Sequence, residues 1–240
     1  MPKNKKLKSP NTSIATQSNK LIESSYKMSV SAKRVMLMLL SQIHPGQQDI
    51  SSKIRIEAAE YAEKTGVSFD RSYTDIKTGC RELMGTIITT KNKTAKTTEE
   101  CVVVHWMKYH EKEGWLEATF TPWIAPFIHH LAQIGYSTIA IDEALKFKRF
   151  YTIRLYELLM QWESTGLRLI TIDDLRRAFD IEKNSYPKYK DFRVKVLDPS
   201  IKEIEKKTQW RIKNKPIKTG QKITSLRLSF EKDKQHQLNF

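Results

Sequence analysis

Phe150-Tyr151-Thr152-Ile153-Arg154-Leu155-Tyr156-Glu157-Leu158-Leu159 opens the stretch whose reading decides the fold. The decapeptide contains no Gly or Pro and reads as unbroken helix. Arg168-Leu169-Ile170-Thr171-Ile172 follows, a short β-branched run that predicts a strand. Residues 173–179 predict a short helix, with Thr171 and Asp174 as an approximate capping box in which Asp stands where Glu or Gln is usual. A linker containing Ser185-Tyr186-Pro187 leads into a last, basic helix expected over residues 188–208. Residues 210–215 and 223–230 then pair as a hairpin around Thr219-Gly220. Helix, strand, short helix, turn, basic helix, hairpin is the order of a winged helix-turn-helix, whose second, recognition helix lies in a DNA major groove.

Wound at about 100° per residue, the basic helix separates two faces. Phe192, Val196, Leu197, Ile201 and Ile204 point one way; Lys188, Asp191, Lys195, Lys202 and Lys206 point the other, flanked by Val194 and Asp198. Recognition helices read bases with their N-terminal residues. Lys188, Lys190, Arg193, Val194 and Lys195 are therefore the candidate base-reading positions. Arg or Lys can donate to guanine O6 and N7, and Val194 can meet a thymine methyl. Lys202, Lys206 and Lys207 lie farther along, where phosphate contact or simple solvation is expected. Pro199 lacks an N–H and crowds the carbonyl of Lys195, which predicts a kink. The bland alternative for the whole segment is a solvated amphipathic helix.

The rest of the chain reads as a second copy of the same plan. Residues 1–16 are Lys, Pro, Asn, Ser and Thr with little to bury, and are expected to form a disordered basic arm. Residues 19–26 suggest a short helix, and Ser31 is a candidate cap for the next, whose apolar face is Val35, Met36, Leu39, Leu40 and Ile43. A strand is expected at 53–56, an Ala-rich helix at 57–65, a turn at Gly66, and a helix capped by Ser68 that buries Phe69, Tyr73, Ile76, Cys80, Leu83 and Met84. Helix, glycine turn, helix is again a helix-turn-helix signature. Its outer face offers Arg71, Ser72, Asp75, Thr78 and Arg81 for DNA contact, unless the pair is an ordinary helical hairpin. Residues 86–90 predict a strand, 91–100 a polar loop, and 101–107 with 115–121 the strands of a wing; a helix then runs from Pro122 through Leu131. Asp142 is placed to cap a long helix opening the second unit, with Leu145, Ile153, Tyr156, Leu159 and Trp162 on its stripe. The fold class is thus α+β, two tandem winged helix-turn-helix domains at 17–139 and 140–232.

Charge is distributed unevenly. The chain has 42 basic and 27 acidic residues for a net charge of +15. Residues 21–139 are nearly neutral, whereas 140–232 carry 22 basic against 13 acidic residues. A domain that basic suggests a polyanionic partner. Cys80 and Cys101 have no metal-type spacing and are too few for a disulfide framework, which suggests a reducing cytoplasm. No run approaches the roughly 18 apolar residues of a membrane span, and no apolar segment follows the basic N-terminus as in a secretory signal.

Four stretches in combination resemble the iteron-binding plasmid replication initiators of the Rep3 type. They are Gln17-Ser18-Asn19-Lys20-Leu21-Ile22-Glu23 with Tyr26, Ser29 and Lys33-Arg34; Phe120-Thr121-Pro122 with Pro126-Phe127; Ile153-Arg154-Leu155-Tyr156-Glu157-Leu158-Leu159; and Asp191-Phe192-Arg193 with Val196-Leu197, Pro199, Ile201 and Glu203-Ile204. The resemblance spans about residues 17–230. It implies two winged-helix domains on successive faces of origin DNA, monomers that bind direct repeats to start replication, and dimers, joined through the first domain, that bind an inverted repeat and repress their own gene. It also implies host replication proteins and chaperones as partners. Arg193 and Lys195 fall at basic positions of the family helix, and Val194 where some relatives are basic. The segment Ala140-Ile141-Asp142-Glu143 departs from the family pattern.

Enzymatic signals are weak. His129-His130 is adjacent and lacks the His-apolar-His spacing of a nicking enzyme's metal site, and His105 and His110 have no third ligand nearby in sequence. No Gly-x4-Gly-Lys-Ser/Thr loop is present to cradle a nucleotide phosphate. Tyr151, Tyr156 and Tyr189 lack a His or metal partner in sequence. The expectation is a non-enzymatic DNA binder needing no cofactor and no metal. A winged-helix transcription regulator without origin function is the second reading, and an RNA-binding or purely structural protein the third.

Overall fold

The computed structural model describes residues 13–43, 53–92, 96–128, 135–182 and 184–233. The first half contains β1 (Ile14–Ser18), α1 (Asn19–Glu23), α2 (Val30–Ser41), β2 (Ile54–Glu57), α3 (Ala58–Thr65), α4 (Phe69–Gly85), β3 (Ile87–Asn92), β4 (Thr97–Val102), β5 (Val104–His110) and β6 (Trp115–Phe120). A 3-10 turn (Pro122–Ile124) and α5 (Ala125–Ile128) lead to β7 (Tyr136–Ala140) and α6 (Ile141–Ala144). The second half contains α7 (Phe150–Met160), β8 (Leu167–Thr171), α8 (Ile172–Ala178), α9 (Tyr189–Phe192), a π-helical turn (Arg193–Leu197), α10 (Asp198–Lys207), β9 (Trp210–Thr219) and β10 (Lys222–Lys232).

Two three-stranded antiparallel sheets share one plan, β2-β6-β5 and β8-β10-β9. In each, a strand follows a long helix and pairs with the second strand of a later hairpin. Between that strand and the hairpin lie α3 and α4 in the first, and α8 and the continuous helical run α9–α10 in the second, giving two winged helix-turn-helix units. The first unit also carries a two-stranded insertion, β3-β4. Period-2 alternation builds the sheets: Ile54 and Ile56 face inward and Arg55 and Glu57 outward. Gly66 supplies the left-handed turn between α3 and α4, with φ +72° and its N–H donating to the Ala62 carbonyl. Gly79 lets α4 approach α2 closely, since a Cβ there would lie 2.9 Å from the Ser31 backbone.

Several expectations need correction. The arm expected over 1–16 ends earlier: Ile14–Ser18 is a strand paired with Tyr136–Ala140, and Ala15 is fully buried. The remainder of that arm, residues 1–12, lies outside the described residues, as do His129-His130, 131–134 and the end of the chain after Asp233. The break expected at 139/140 runs through β7, which the pairing with β1 keeps intact. Ser29, not Ser31, caps α2, its hydroxyl accepting from the Ala32 N–H at 3.1 Å. The polar loop expected at 91–100 includes β4, whose Thr97–Val102 pairs with β3. Thr97–Glu100 face solvent on both sides, so no alternation marks that stretch. The strand expected at 101–107 breaks at Val103, with Cys101 in the β3-β4 hairpin and Val104 onward in the wing sheet. The long helix expected from Asp142 is two, α6 and α7, and Asp142 pairs with Lys64 at 2.7 Å.

Charged groups occupy the centre of the molecule. Lys33 on α2 and Arg154 and Glu157 on α7 are fully buried. Glu157 Oε1 accepts from Lys33 Nζ at 2.7 Å and Gln17 Nε2 at 2.8 Å, and Oε2 accepts from Arg154 Nη1 at 2.7 Å. Tyr26 completes the set, its hydroxyl accepting from Lys33 Nζ at 2.8 Å and Arg154 Nη1 at 2.5 Å. Burial, the largest influence, pushes the Glu157 carboxyl up; the Lys33 and Arg154 charges and the bonds from Lys33 and Gln17 outweigh it and hold the group below the usual carboxylate range.

Removing Glu157 strands two buried cations. Glu157→Gln is expected to lower unfolding free energy in denaturant titrations by about 3–5 kcal/mol. Because the folded-state value is depressed, the contribution of Glu157 is fully present above the unfolded glutamate value, near 4.3, and is lost as pH falls below it through the folded value. Glu157→Gln should therefore flatten that part of the acid limb of the stability curve; an unchanged limb would assign the acid sensitivity to other groups.

Candidate nucleic-acid interface

The helical run from Tyr189 to Lys207 buries Phe192, Val196, Leu197, Ile201 and Ile204, the stripe its periodicity predicts. Lys188, Lys190, Arg193, Val194, Lys195, Lys202 and Lys206 are all exposed, Val194 by 51%. Lys188 is the residue preceding the first helical position, so the helix begins at Tyr189. Among the described residues, Lys188, Lys190, Lys202 and Lys206 are held in no ion pair. Arg193 Nε lies 3.4 Å from Asp198 Oδ2, and Lys195 Nζ sits 5.8 Å from the centre of the Tyr186 ring. Lys207, by contrast, is tied back to Glu203 at 3.3 Å.

Pro199 does not simply break this helix. The N–H of Asp198 reaches back five residues to the Arg193 carbonyl, and Pro199 then falls in the first turn of α10, where no N–H is required. The expected kink is thus taken up as a π turn.

Three sets of bonds hold the helix in place. Arg176 on α8 donates to the carbonyls of Glu182 at 3.0 Å, Ser185 at 2.6 Å and Tyr186 at 3.0 Å, closing the turn that precedes the helix. Glu203 on α10 accepts from the Lys148 N–H and the Thr152 hydroxyl, each at 2.7 Å. That carboxylate caps the N-terminus of α7, which has no side-chain cap of its own. Glu205 accepts from the Ile212 N–H at 2.9 Å, joining the helix to β9.

The hairpin adds cations that the helix reading left out. Lys213, Lys215, Lys218, Lys222 and Arg227 are exposed on β9 and β10. Lys215 pairs across the hairpin with Arg227, and Lys218 and Lys222 flank the Gly220 turn, where φ is +61°. The signal for the strand cations was legible as Arg211-Ile212-Lys213-Asn214-Lys215, basic at alternate positions.

In the first unit the outer face of α4 is smaller than expected. Arg71 and Arg81 are exposed, Arg71 pairing with Asp75 at 3.4 Å. Ser72 is fully buried and its hydroxyl donates to the Phe69 carbonyl at 2.6 Å, so it is not part of any surface. Phe69 and Met84, expected inside, are instead 60% and 37% exposed, because they lie at the two ends of α4 beyond its packing on α2.

Family models for initiator replication proteins match both units. The N-terminal model, described as the first winged helix of an initiator replication protein, matches residues 14–160, and the second-winged-helix model matches 171–230. The chain belongs to the initiator replication protein family. A PI protein of Escherichia coli is 27% identical over 250 residues, covering 90% of this chain and 81% of its own length. A 27.6 kDa protein of Escherichia coli, uncharacterized, is 27% identical over 218 residues, covering 85% of this chain and 87% of that one. The crystal structure of the Pi initiator protein in complex with iteron DNA superposes with a TM-score of 0.80 at 23% identity, covering 93% of this chain and 98% of that one. That likeness establishes the shared fold, including the paired winged helices of this initiator.

The Arg176 clamp gives the interface a separate test. Arg176→Ala leaves three carbonyls without their charged donor and should destabilise the 182–192 turn by about 2 kcal/mol. Hydrogen exchange read by mass spectrometry should show faster exchange there and little change in α2. Unaltered protection across 182–192 would mean that other contacts order the turn.

Proposed function

We propose that this initiator binds double-stranded DNA at repeated origin sequences through both winged helices and starts plasmid replication there. The observation that carries the reading is the exposed basic face of the Tyr189–Lys207 run, on which Lys190, Lys202 and Lys206 are in no ion pair among the described residues, set beside a lysine-rich hairpin, in a family of replication initiators. In this reading Lys188, Lys190, Arg193, Val194 and Lys195 meet base edges. Lys202 and Lys206, with the hairpin cations, meet phosphates. Arg71 and Arg81 supply the first unit's contacts, and two recognition helices in tandem engage major grooves about one turn apart, roughly 10 bp.

The protein acts without catalysis of its own and hands the origin to host replication proteins in the cytoplasm. A dimer joined through the nearly neutral first unit represses the protein's own gene at an inverted repeat, and chaperones shift dimer to monomer. Footprinting of DNA flanking the gene tests the core of the proposal: protection of direct repeats supports it. Protection of only a promoter-proximal inverted repeat would favour a transcription regulator, and loss of binding to competing RNA would favour the third class.

Two outcomes follow for variants and assembly. Arg193→Ala and Lys195→Ala should narrow the gap between repeat and random DNA, each costing about 1–3 kcal/mol on the repeat. Lys202→Ala and Lys206→Ala should weaken both DNAs alike and lower the salt slope by about one unit. If Lys202→Ala relaxes specificity while Arg193→Ala weakens both DNAs equally, the other end of the helix enters the groove. Sedimentation equilibrium of the full chain should detect a dimer at high micromolar concentration, and a strict monomer there removes the dimer from the proposal.

A further inference from the structure

The two recognition helices belong to different units, yet one buried side chain touches the frames of both. Arg154 uses all five of its N–H groups. Nη2 donates to the carbonyls of Ile22 at 2.7 Å, near the end of α1, and Ser24 at 3.0 Å, in the segment that follows it. Nε and Nη2 donate to the Ala178 carbonyl at 3.2 and 3.0 Å. Ala178 is the last residue of α8, the helix whose Arg176 clamps the turn before the basic helix. Nη1 holds Tyr26 and Glu157. Beside this group, on the surface, the Ser25 hydroxyl donates to Asp180 Oδ1 at 2.6 Å. Asp180 stands two residues beyond α8 with φ +50°.

The same link runs back into the first unit. Lys33, bonded to Tyr26, is on α2, and α4 packs on α2 across Gly79. Glu82 of α4 accepts from the Ser29 N–H at 2.7 Å at the start of α2. A short chain of directional bonds, buried from Lys33 through Tyr26 and Arg154 to Ala178 and exposed at Ser29–Glu82, thus connects α4 to the turn ahead of the basic helix.

We propose that Arg154, supported by the Ser25–Asp180 bond, is a positioning residue that sets the spacing at which the two winged helices engage one duplex. The inference rests on the two-unit DNA grip proposed above. When two binding modules share a duplex, the second binds at an effective concentration set by how rigidly the first holds it at the right distance. A guanidinium fork clamping carbonyls from both units is rigid in that sense, because its planar donors fix distance and angle together. A lysine at 154 would keep the charge opposite Glu157 and lose the fork.

The test uses the full chain with Arg154→Lys and, as a surface variant that spares the core, Ser25→Ala/Asp180→Gly. Glycine keeps the left-handed backbone at 180 while removing the acceptor. The probes are duplexes carrying the repeat protected by the wild-type protein, the same duplexes with one or two base pairs inserted or deleted between the two contacted grooves, and a duplex with only the second unit's half. Thermal unfolding establishes that each variant is folded. The wild type should lose about tenfold or more in affinity on altered spacing. Each folded variant should lose affinity at natural spacing, about tenfold for Arg154→Lys, bind the half-site within about twofold of wild type, and show a flattened dependence on spacing. An unaltered spacing profile in the folded variants overturns the proposal, as does a wild type indifferent to spacing. Should Arg154→Lys fail to fold, the surface variant alone decides. Failure of the wild type to bind any repeat would instead sink the functional reading itself.

Discussion

A guanidinium fully removed from water is the constraint on which this architecture depends. A buried guanidinium is tolerable only when every N–H finds an acceptor and a counter-charge lies close. The acceptors come from five places: the end of α1, the segment after it, Tyr26, α7 itself and the end of α8. No single unit supplies them. The N-terminal segment, α7 and the second helix-turn-helix must be in place together before the cation is satisfied. Lys33 and Gln17 extend the same demand to α2 and β1. Such a core contributes less net stability than an apolar one of equal volume, but a misplaced element leaves a buried charge unpaired. The network therefore penalises alternative arrangements of the two units more than it rewards this one.

The twin units have diverged in surface chemistry on a common plan. Strand order, helix order and the hairpin are the same in both. The second unit carries its charge on a basic helix and wing, with most of those cations in no ion pair among the described residues. The first unit's α4 sets Arg71 against Asp75, and Lys77 is paired with Glu111 at 3.0 Å. Its wing sheet likewise pairs Arg55 with Glu57 at 3.2 Å and stacks His110 on Trp115. Neutralised cations attract a polyanion weakly, so on the proposed two-unit grip the stronger electrostatic attraction falls to the second unit, and the first unit's contacts depend more on where it is held. This difference is what gives the bond between the frames its importance.

Reading residues in order recovered the elements wherever period and turn chemistry agreed. Helix 150–159, the strand read at 168–172 and found one residue earlier at Leu167–Thr171, the cap at Thr171, the Gly66 turn and the hairpin around Gly220 are all local signals, and Thr171 does accept from the Asp174 N–H at 3.0 Å. Failures came where tertiary structure reverses a local rule. Arg154 and Glu157, three apart, look like a solvated helix pair, yet both are buried because α1, α2 and α8 cover that side of α7. Ser72 passed for surface because it is polar, although it stands four residues before Ile76 and seven before Gly79, on the stripe that meets α2. Strand 97–102 had no period because both its faces are wet over 97–100. In the candidate interface the exposed helix positions were legible as the complement of the apolar stripe. The wing cations were legible only as alternation, and the Arg176 clamp, a contact between a side chain and three loop carbonyls, had no local signature.

The π turn shows how a constraint from the core reaches that exposed face. Phe192 and Ile201 must both point inward, with Pro199 between them unable to donate. A regular helix would leave the Lys195 carbonyl facing the proline ring. Shifting the ladder by one residue, so that Asp198 donates to Arg193, lets α10 restart with the proline in its first turn. The wider turn brings Val196 and Leu197 inward together and leaves Arg193, Val194 and Lys195 outward in succession. Three adjacent side chains, donor, methyl, donor, then occupy one exposed patch rather than being divided between faces. On the reading that this face meets DNA, its pattern of polar and apolar groups is set in part by a half-buried proline in the following turn.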